Sequence, residues 1–403
     1  MTALEKDIIS IIRGVIEETT VVISDDFDLA AAVRLCRRHG ILPILYAGLS
    51  RTENKPDKEK MSHLRRIAAS CIIVDRAQLC AADDIKKAFA ENGIPFMPLK
   101  GLSVKPKYSH SEYRLMGDCD FLIGHKEAER AAEVLSERGF APKRDGDRQS
   151  EWKSKEGITV ELHTGVISES NGDFVRYWGD GWDFARPTGE GSSEYRMSSE
   201  DEFDYLITHL AKHFRNGGVG LRHFTDIYVY EKSEPDMDRD YINEELGKLG
   251  LRDFYENIKR TLATWFMGGE EDETTARITE FVMRSGSFGT ADGVSVSDEL
   301  KRRAKGENKT RKKRLLSAVF LPYGNMCGFY PVLEKAPVLL PLFWVVRLFD
   351  RAFVHRKNAK KTITSIMVSG SSQVDEFRNM LTKVGLSPDF GHDGIGLGVG
   401  SDR

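Results

Sequence analysis

The sequence predicts an α+β chain: a short strand-bearing core flanked by N-terminal and C-terminal helical regions. Three observations predict it. Apolar residues recur at three- and four-residue spacing from about residue 4 to 92, the period shifts to short apolar runs between 93 and 163, and helical spacing returns after Ser198. At 403 residues the chain has the length of roughly two to three domains, and 40% hydrophobic with 30% charged residues places it among soluble globular proteins. A net charge of −3 excludes a global nucleic-acid signature, so polyanion binding would have to come from a local patch. The five cysteines are odd in number, scattered and without a Cys-x-x-Cys pair, which argues against a disulfide framework or a zinc cluster. Acidic residues appear early in Met1-Thr2-Ala3-Leu4-Glu5-Lys6-Asp7 with no uninterrupted apolar segment behind a basic start, so no signal peptide is read and the cytoplasm is the expected compartment.

The elements follow in order. Residues 1–92 read as an N-terminal helical region, with Ile8, Ile9, Ile11, Ile12 and Val15 on one apolar face and Asp25-Asp26 as caps for a helix ending near His39-Gly40. Ile94-Pro95-Phe96-Met97-Pro98-Leu99 is a short apolar run whose prolines predict an edge or irregular strand. A short helical piece around Tyr108 follows, then a strand through Asp118 and Asp120. A helix from Lys126 to Arg138 is closed by Gly139. The turn Lys155-Glu156-Gly157 leads into Ile158 to His163, with Ile158, Val160 and Leu162 on one face and Thr159, Glu161 and His163 on the other. Residues 93–197 thus read as the strand-bearing core. Ser198 followed by acids opens a helical domain, residues 198–284, expected to pack on that core. The stretch from Ser285 to Ser297 reads as a Gly- and Ser-rich loop. Residues 298–390 form a basic and apolar helical region, and the Gly-rich residues 391–403 a flexible tail.

The chemistry concentrates in Leu115-Met116-Gly117-Asp118-Cys119-Asp120-Phe121-Leu122-Ile123. Strand side chains alternate faces, so Asp118 and Asp120 point one way while Cys119, Phe121 and Ile123 point into a core. Glu161 adds a third carboxylate on the polar face of its own strand. Such anions repel one another unless a divalent cation lies between them, and hard oxygen ligands suit Mg²⁺. Asp118, Asp120 and Glu161 are therefore the candidate metal ligands and catalytic carboxylates, and the chemistry implied is phosphoryl or nucleotidyl transfer. Each has a plainer reading as a polar strand edge. Lys100 reads equally as a solvated lysine or as a point charge for phosphates, with Gly101 allowing close backbone approach. Arg114 can fork onto a phosphate or neutralise the carboxylates. His163 can orient a carboxylate, touch a nucleotide or serve structurally. His209 and His213, four apart on a helix, read as structural or supporting groups, because Leu210-Ala211-Lys212 lacks the Glu of a zinc protease. Arg222 and Asp226, also one turn apart, read as a helix-surface ion pair.

The ordered set Pro98-Leu99-Lys100-Gly101, Tyr113-Arg114, Asp118-Cys119-Asp120 and Val160-Glu161-Leu162-His163 resembles the uncharacterised bacterial nucleotidyltransferases of the DNA-polymerase-beta-like superfamily. The resemblance extends upstream to Arg38-His39-Gly40-Ile41-Leu42-Pro43-Ile44-Leu45-Tyr46 and downstream to His209, His213, Arg222 and Asp226, covering most of the chain to about residue 355, and it favours Arg222 and Asp226 facing the active-site cleft. It implies a small mixed β-sheet nucleotidyltransferase core with helices on one face. It also implies two Mg²⁺ ions, an NTP substrate and release of pyrophosphate. Asp118 and Asp120 would then be metal ligands and Glu161 the third carboxylate, with Lys100, Gly101, Arg114 and His163 on the nucleotide side. In that superfamily a Gly-Ser pair at a helix start holds the triphosphate; this chain has Lys100-Gly101 there instead.

The expected function is transfer of an NMP to an acceptor, whether a small hydroxylated molecule, a protein side chain or an RNA end. The rival is a non-catalytic nucleotide-binding or scaffold protein in a surface-polysaccharide or membrane-associated assembly. Nucleic acid is disfavoured as a partner: the basic run Lys301 to Arg314 is read as a solvated face, far in sequence from the catalytic strands. The apolar segment Pro337 to Phe353 is too short to span a bilayer, which takes about 18–20 apolar residues. Packing against protein is preferred for it over peripheral membrane contact.

Overall fold

The computed structural model describes residues 1–146, 148–287, 289–306, 320–330, 332–353 and 371–391. Helix α1 (Ala3–Ile16) starts at a capping box, with Glu5 N–H donating to the Thr2 hydroxyl and Thr2 N–H donating to the Glu5 carboxylate. The isoleucines read from the sequence are buried along it. Helix α2 (Leu29–His39) is capped by Asp28, whose carboxylate accepts from Ala31 N–H, and not by Asp25 or Asp26. A capping side chain must sit directly before the first turn to reach its free amides, and the two earlier acids lie too far upstream. Gly40 closes α2 at a φ of 69°. Helix α3 (Leu42–Arg51) packs on α1, α2 and the 34-residue α4 (Lys58–Glu91).

The chain then builds a five-stranded sheet from β1 (Phe96–Pro98), β2 (Cys119–Ile123), β3 (Ala141–Asp145), β4 (Gln149–Lys153) and β5 (Thr159–His163). Helix α5 (Gly101–Val104) lies between the first two strands and α6 (Ala128–Glu137) between the next two. The order is β1-β2-β5-β4-β3, with β2 and β5 parallel and the other pairs antiparallel, which is the mixed sheet the resemblance implies. Proline-bearing β1 is an edge strand, where a missing N–H costs no ladder bond. The sequence reading did not identify β3 and β4. Ala-Pro-Lys-Arg-Asp and Gln-Ser-Glu-Trp-Lys show no apolar alternation because this edge hairpin is largely exposed.

One face of the sheet carries the core. Cys119, Phe121, Ile123, Val160 and Leu162 pack with Ile85 and Phe89 of α4 and Leu135 of α6. The rings of Phe89, Phe96 and Phe121 meet at centroid distances of 5.7, 5.8 and 6.1 Å. Each such side chain contributes about 1.5–3 kcal/mol by burial. Strand parity turns Asp120 and Glu161 to the opposite face.

After α7 (Gly172–Trp178) and the two-stranded ribbon Arg186–Pro187 with Tyr195–Arg196, helices α8 (Ser199–Arg215), α9 (Leu221–Ser233), α10 (Arg239–Lys248), α11 (Arg252–Phe266) and α12 (Glu273–Ser285) follow. Ser198 caps α8 as predicted, accepting from Asp201 N–H at 3.0 Å. The expected loop from Ser285 to Ser297 is a correction: α13 (Ala291–Ala304) begins within it, capped by Thr290. Its Gly and Ser content lowers helix propensity, but Val296 and Leu300 are buried four residues apart and outweigh it.

Residues 1–289 with the described part of 381–403 form one compact unit, and 290–380 another. Within the second, Met326, Cys327 and Leu333 make a small core packed by Phe343 and Trp344. The segment expected to be buried or interfacial becomes a short turn of helix at Pro337–Leu339 and the helix Leu340–Phe353. Leu342, Val345, Val346, Leu348 and Phe349 of it are exposed. Among the described residues no helix is long and apolar enough to cross a membrane. The basic run beyond Gly306 as far as Arg314, and the tail from 392, lie outside the described residues.

Candidate active site

Parallel pairing of β2 with β5 sets Asp120 directly opposite Glu161. Neighbouring strands lie about 4.8 Å apart, so two carboxylates on one face are brought side by side. Asp118 stands one residue before β2, in phase with Asp120. The segment leading to it is held by side chains from three elements: Lys105 donates to Arg114 O at 2.6 Å, Arg222 to Leu115 O at 3.2 Å and Gln78 to Gly117 O at 3.2 Å. Lys105 is itself anchored on Asp75 at 2.7 Å, both almost fully buried.

Asp120 is 2% exposed and one of its oxygens is heavily engaged. Lys100 Nζ lies 2.5 Å from Oδ1 and His163 Nε2 2.7 Å from the same atom. His163 Nε2 also approaches Glu161 at 3.3 Å. Lys100 reaches Asp120 from the residue before α5 at φ 52° and ψ −112°, a backbone conformation unusual for a side-chain-bearing residue. Holding it costs on the order of 1–3 kcal/mol, a strain that marks sites where position matters. At Gly101 a Cβ would fall 2.8 Å from Met116 Cγ, so glycine lets the start of α5 close against the segment carrying Asp118.

The electrostatics separate the two aspartates. Burial pushes the Asp120 carboxyl upward, but the Lys100 ammonium and His163 outweigh it and hold Asp120 below the usual carboxylate range. Asp118 is pushed up, first by the negative charge of Asp120 and then by burial. Burial disfavours the Lys100 ammonium, and Asp120, with Tyr205, Asp118 and Glu161, more than restores it, so that its pKa stands above the ordinary lysine value.

The donor set fits a hard divalent cation. Among the described residues no hydrogen bond or ion pair engages Asp118, and none reaches Oδ2 of Asp120. Glu161 brings a third carboxylate, and one ligating atom each of Asp120, Glu161 and His163 lies within 4.8 Å of the others.

Helices α8 and α9 form the facing wall of a cleft of about 230 Å³ that Asp118, Asp120, Glu161, Lys100, Gly101 and Arg114 also line. The cleft thus gathers every sequence-predicted site residue except His163, which lies beneath it against Asp120. Arg114 Nε donates to both oxygens of Asp226, at 2.7 and 3.0 Å, and Tyr108 Oη donates to Oδ1 at 2.7 Å. Asp226 therefore does not pair with Arg222 on a helix surface. The loop-borne Arg114 takes its place, and Arg222 turns to Leu115 O. His209 and His213 meet at a ring-centroid distance of 4.5 Å and are joined by His223, 4.7 Å from His213. Burial lowers all three histidines well below the ordinary imidazole value. His223, Lys212 and Gln149 were not picked out from the sequence. Lys212 had a readable signal, since positions 209, 212 and 213 share one helical face.

No curated protein matches the sequence. Residues 25–267, more than half of the chain, match the family model described as "Uncharacterised nucleotidyltransferase". With the mixed sheet and its paired carboxylates, that match makes this chain a member of the uncharacterised nucleotidyltransferase family, and so a transferase.

Proposed function

We propose that this enzyme moves a nucleoside monophosphate from an NTP to an acceptor hydroxyl, with Asp118, Asp120 and Glu161 holding Mg²⁺. The observation that carries the reading is the parallel register placing Asp120 opposite Glu161, with Asp118 in phase. In the reaction the acceptor oxygen bonds to the α-phosphorus and the bond from that phosphorus to the bridging oxygen breaks. Pyrophosphate leaves with the electron pair. Held by Asp118, Asp120 and Glu161, Mg²⁺ would supply neutralisation of the charge that builds on the phosphoryl oxygens. The residues of the chain do the positioning. Lys100 and His163 keep Asp120 ionised and fix its rotamer through one oxygen, leaving the other to face the cleft. The 16% exposure of the Glu161 side chain beside a buried Asp120 supports Glu161 as the carboxylate that receives the hydroxyl proton and returns it to solvent. Arg114, committed to Asp226, ties the segment bearing Asp118 to α9.

Incubation with labelled NTPs, Mg²⁺ and hydroxylated acceptors tests this. Pyrophosphate release and label transfer are expected from the native chain, and Asp120→Asn is expected to lower both by about 10³-fold. NTP binding without turnover, unchanged in Asp120→Asn, would instead support a scaffold.

A further inference from the structure

Lys100, the cation nearest the carboxylates, is committed to Asp120 at 2.5 Å and is not free to hold a donor's phosphates. We propose that the β- and γ-phosphates are held on the opposite wall of the cleft, by Lys212 with His209 and His213 on α8 and by Arg222 with His223 on α9. This rests on the nucleotidyl-transfer reading and assigns its anion subsite to residues outside the carboxylate cluster.

The charges of the cleft sort themselves by pairing. Lys100 is matched to Asp120 and Arg114 to Asp226. Asp118 and Glu161 remain on the strand wall, and Lys212 and Arg222 on the helical wall. A Mg²⁺·polyphosphate has the complementary pattern, presenting its cation to one wall and its oxygens to the other. Lys212 is half-buried, and among the described residues its side chain makes no hydrogen bond or ion pair. Among the described residues Arg222 Nε is buried without a hydrogen-bond partner, while its Nη1 donates to Leu115 O. A buried donor such as Arg222 Nε is costly unless a ligand supplies an acceptor. Burial, followed by the charge of Lys100, lowers Lys212 to about 7. Burial with Arg114 lowers Arg222 to about 10. A bound anion would reverse both. The three imidazoles, whose ligating nitrogens lie within 4.8 Å of one another, also suit a transition metal. Lys212 and Arg222, which line the cleft beside them, disfavour a dication and favour an anion.

Calorimetric titration of the full chain with inorganic tripolyphosphate in Mg²⁺ tests the assignment without needing turnover. Lys212→Met is expected to weaken tripolyphosphate binding by about tenfold or more, and Lys212→Arg to stay within about threefold of the native chain. NTP KM should rise in step with the loss. Should Lys212→Met fail to fold, Lys212→Gln carries the same expectation. Absence of tripolyphosphate binding, or equal affinity in native and Lys212→Met chains, overturns the proposal. So does stoichiometric Zn²⁺ binding that His213→Ala abolishes while tripolyphosphate affinity stays unchanged. Tripolyphosphate binding through Lys212 with no NTP turnover would sink nucleotidyl transfer and leave the subsite standing. Turnover with an unchanged KM in Lys212→Met would do the reverse.

Discussion

Asp118 and Asp120 are two residues apart and differ because their partners differ. Asp120 receives Lys100 and His163 on one oxygen and stays ionised, whereas Asp118 meets mainly the repulsion of Asp120. Arg114 and Asp226 form the other buried pair, and their mutual compensation sets the consequence of breaking it. Arg114→Ala leaves a 4%-exposed carboxylate with Tyr108 as its one side-chain hydrogen-bond donor among the described residues. A loss of about 3–5 kcal/mol is expected in urea unfolding, since an uncompensated buried charge remains. Replacing both residues by leucine should recover most of it. Recovery of none would mean that the arginine acts through packing alone. The sequence shows that Arg114 precedes the carboxylates, but its partner lies 112 residues away and is not locally encoded.

At the scale of the element, α8 combines a legible start with an illegible interior. The Ser198 cap and the acidic first turn are read directly, because capping depends on residues a few positions apart. Asp204 within it shows no such signal. It is 1% exposed, and among the described residues neither side-chain oxygen has a hydrogen-bond partner. Burial, aided by Asp201 and Glu245, raises its carboxyl to about 8. The folded state therefore holds this proton more tightly than the unfolded chain. The associated stability is full below the ordinary carboxyl value of about 4 and is lost as pH rises towards 8. Asp204→Asn should raise the melting temperature by an increment that grows from pH 4 to pH 8, corresponding to a few kcal/mol in order of magnitude at the upper end. A pH-independent increment would show that Asp204 is ionised in the fold. Helix α13 teaches the converse lesson: two buried apolar residues one turn apart override glycine and serine.

Across the larger compact unit, His39 links the N-terminal helices to α9. It is fully buried, and its Nδ1 accepts from Leu221 N–H at 3.0 Å. Burial, then the charge of Arg38, lowers it to about 4, so the folded state keeps it neutral. The unfolded chain takes up that proton first. This contribution is fully present above ~6.5 and is lost as pH falls towards 4. Thermal melts should show that loss, and His39→Asn, which retains an acceptor, should flatten it. An unchanged acid slope would place the loss elsewhere.

The sequence by itself determined the parity of Asp118, Asp120 and Glu161, the apolar face behind them and the alternation of helical and strand-bearing stretches. These follow from periods of two and 3.6 residues, which are local properties of the chain. Only the tertiary structure decided that Asp120 stands opposite Glu161, that Lys100 closes on Asp120 and that α8 and α9 bring Lys212, Arg222 and three histidines across the cleft. Those relations join residues from about 20 to about 100 positions apart, and at such separations the partner is selected by shared burial and charge balance in the packed fold.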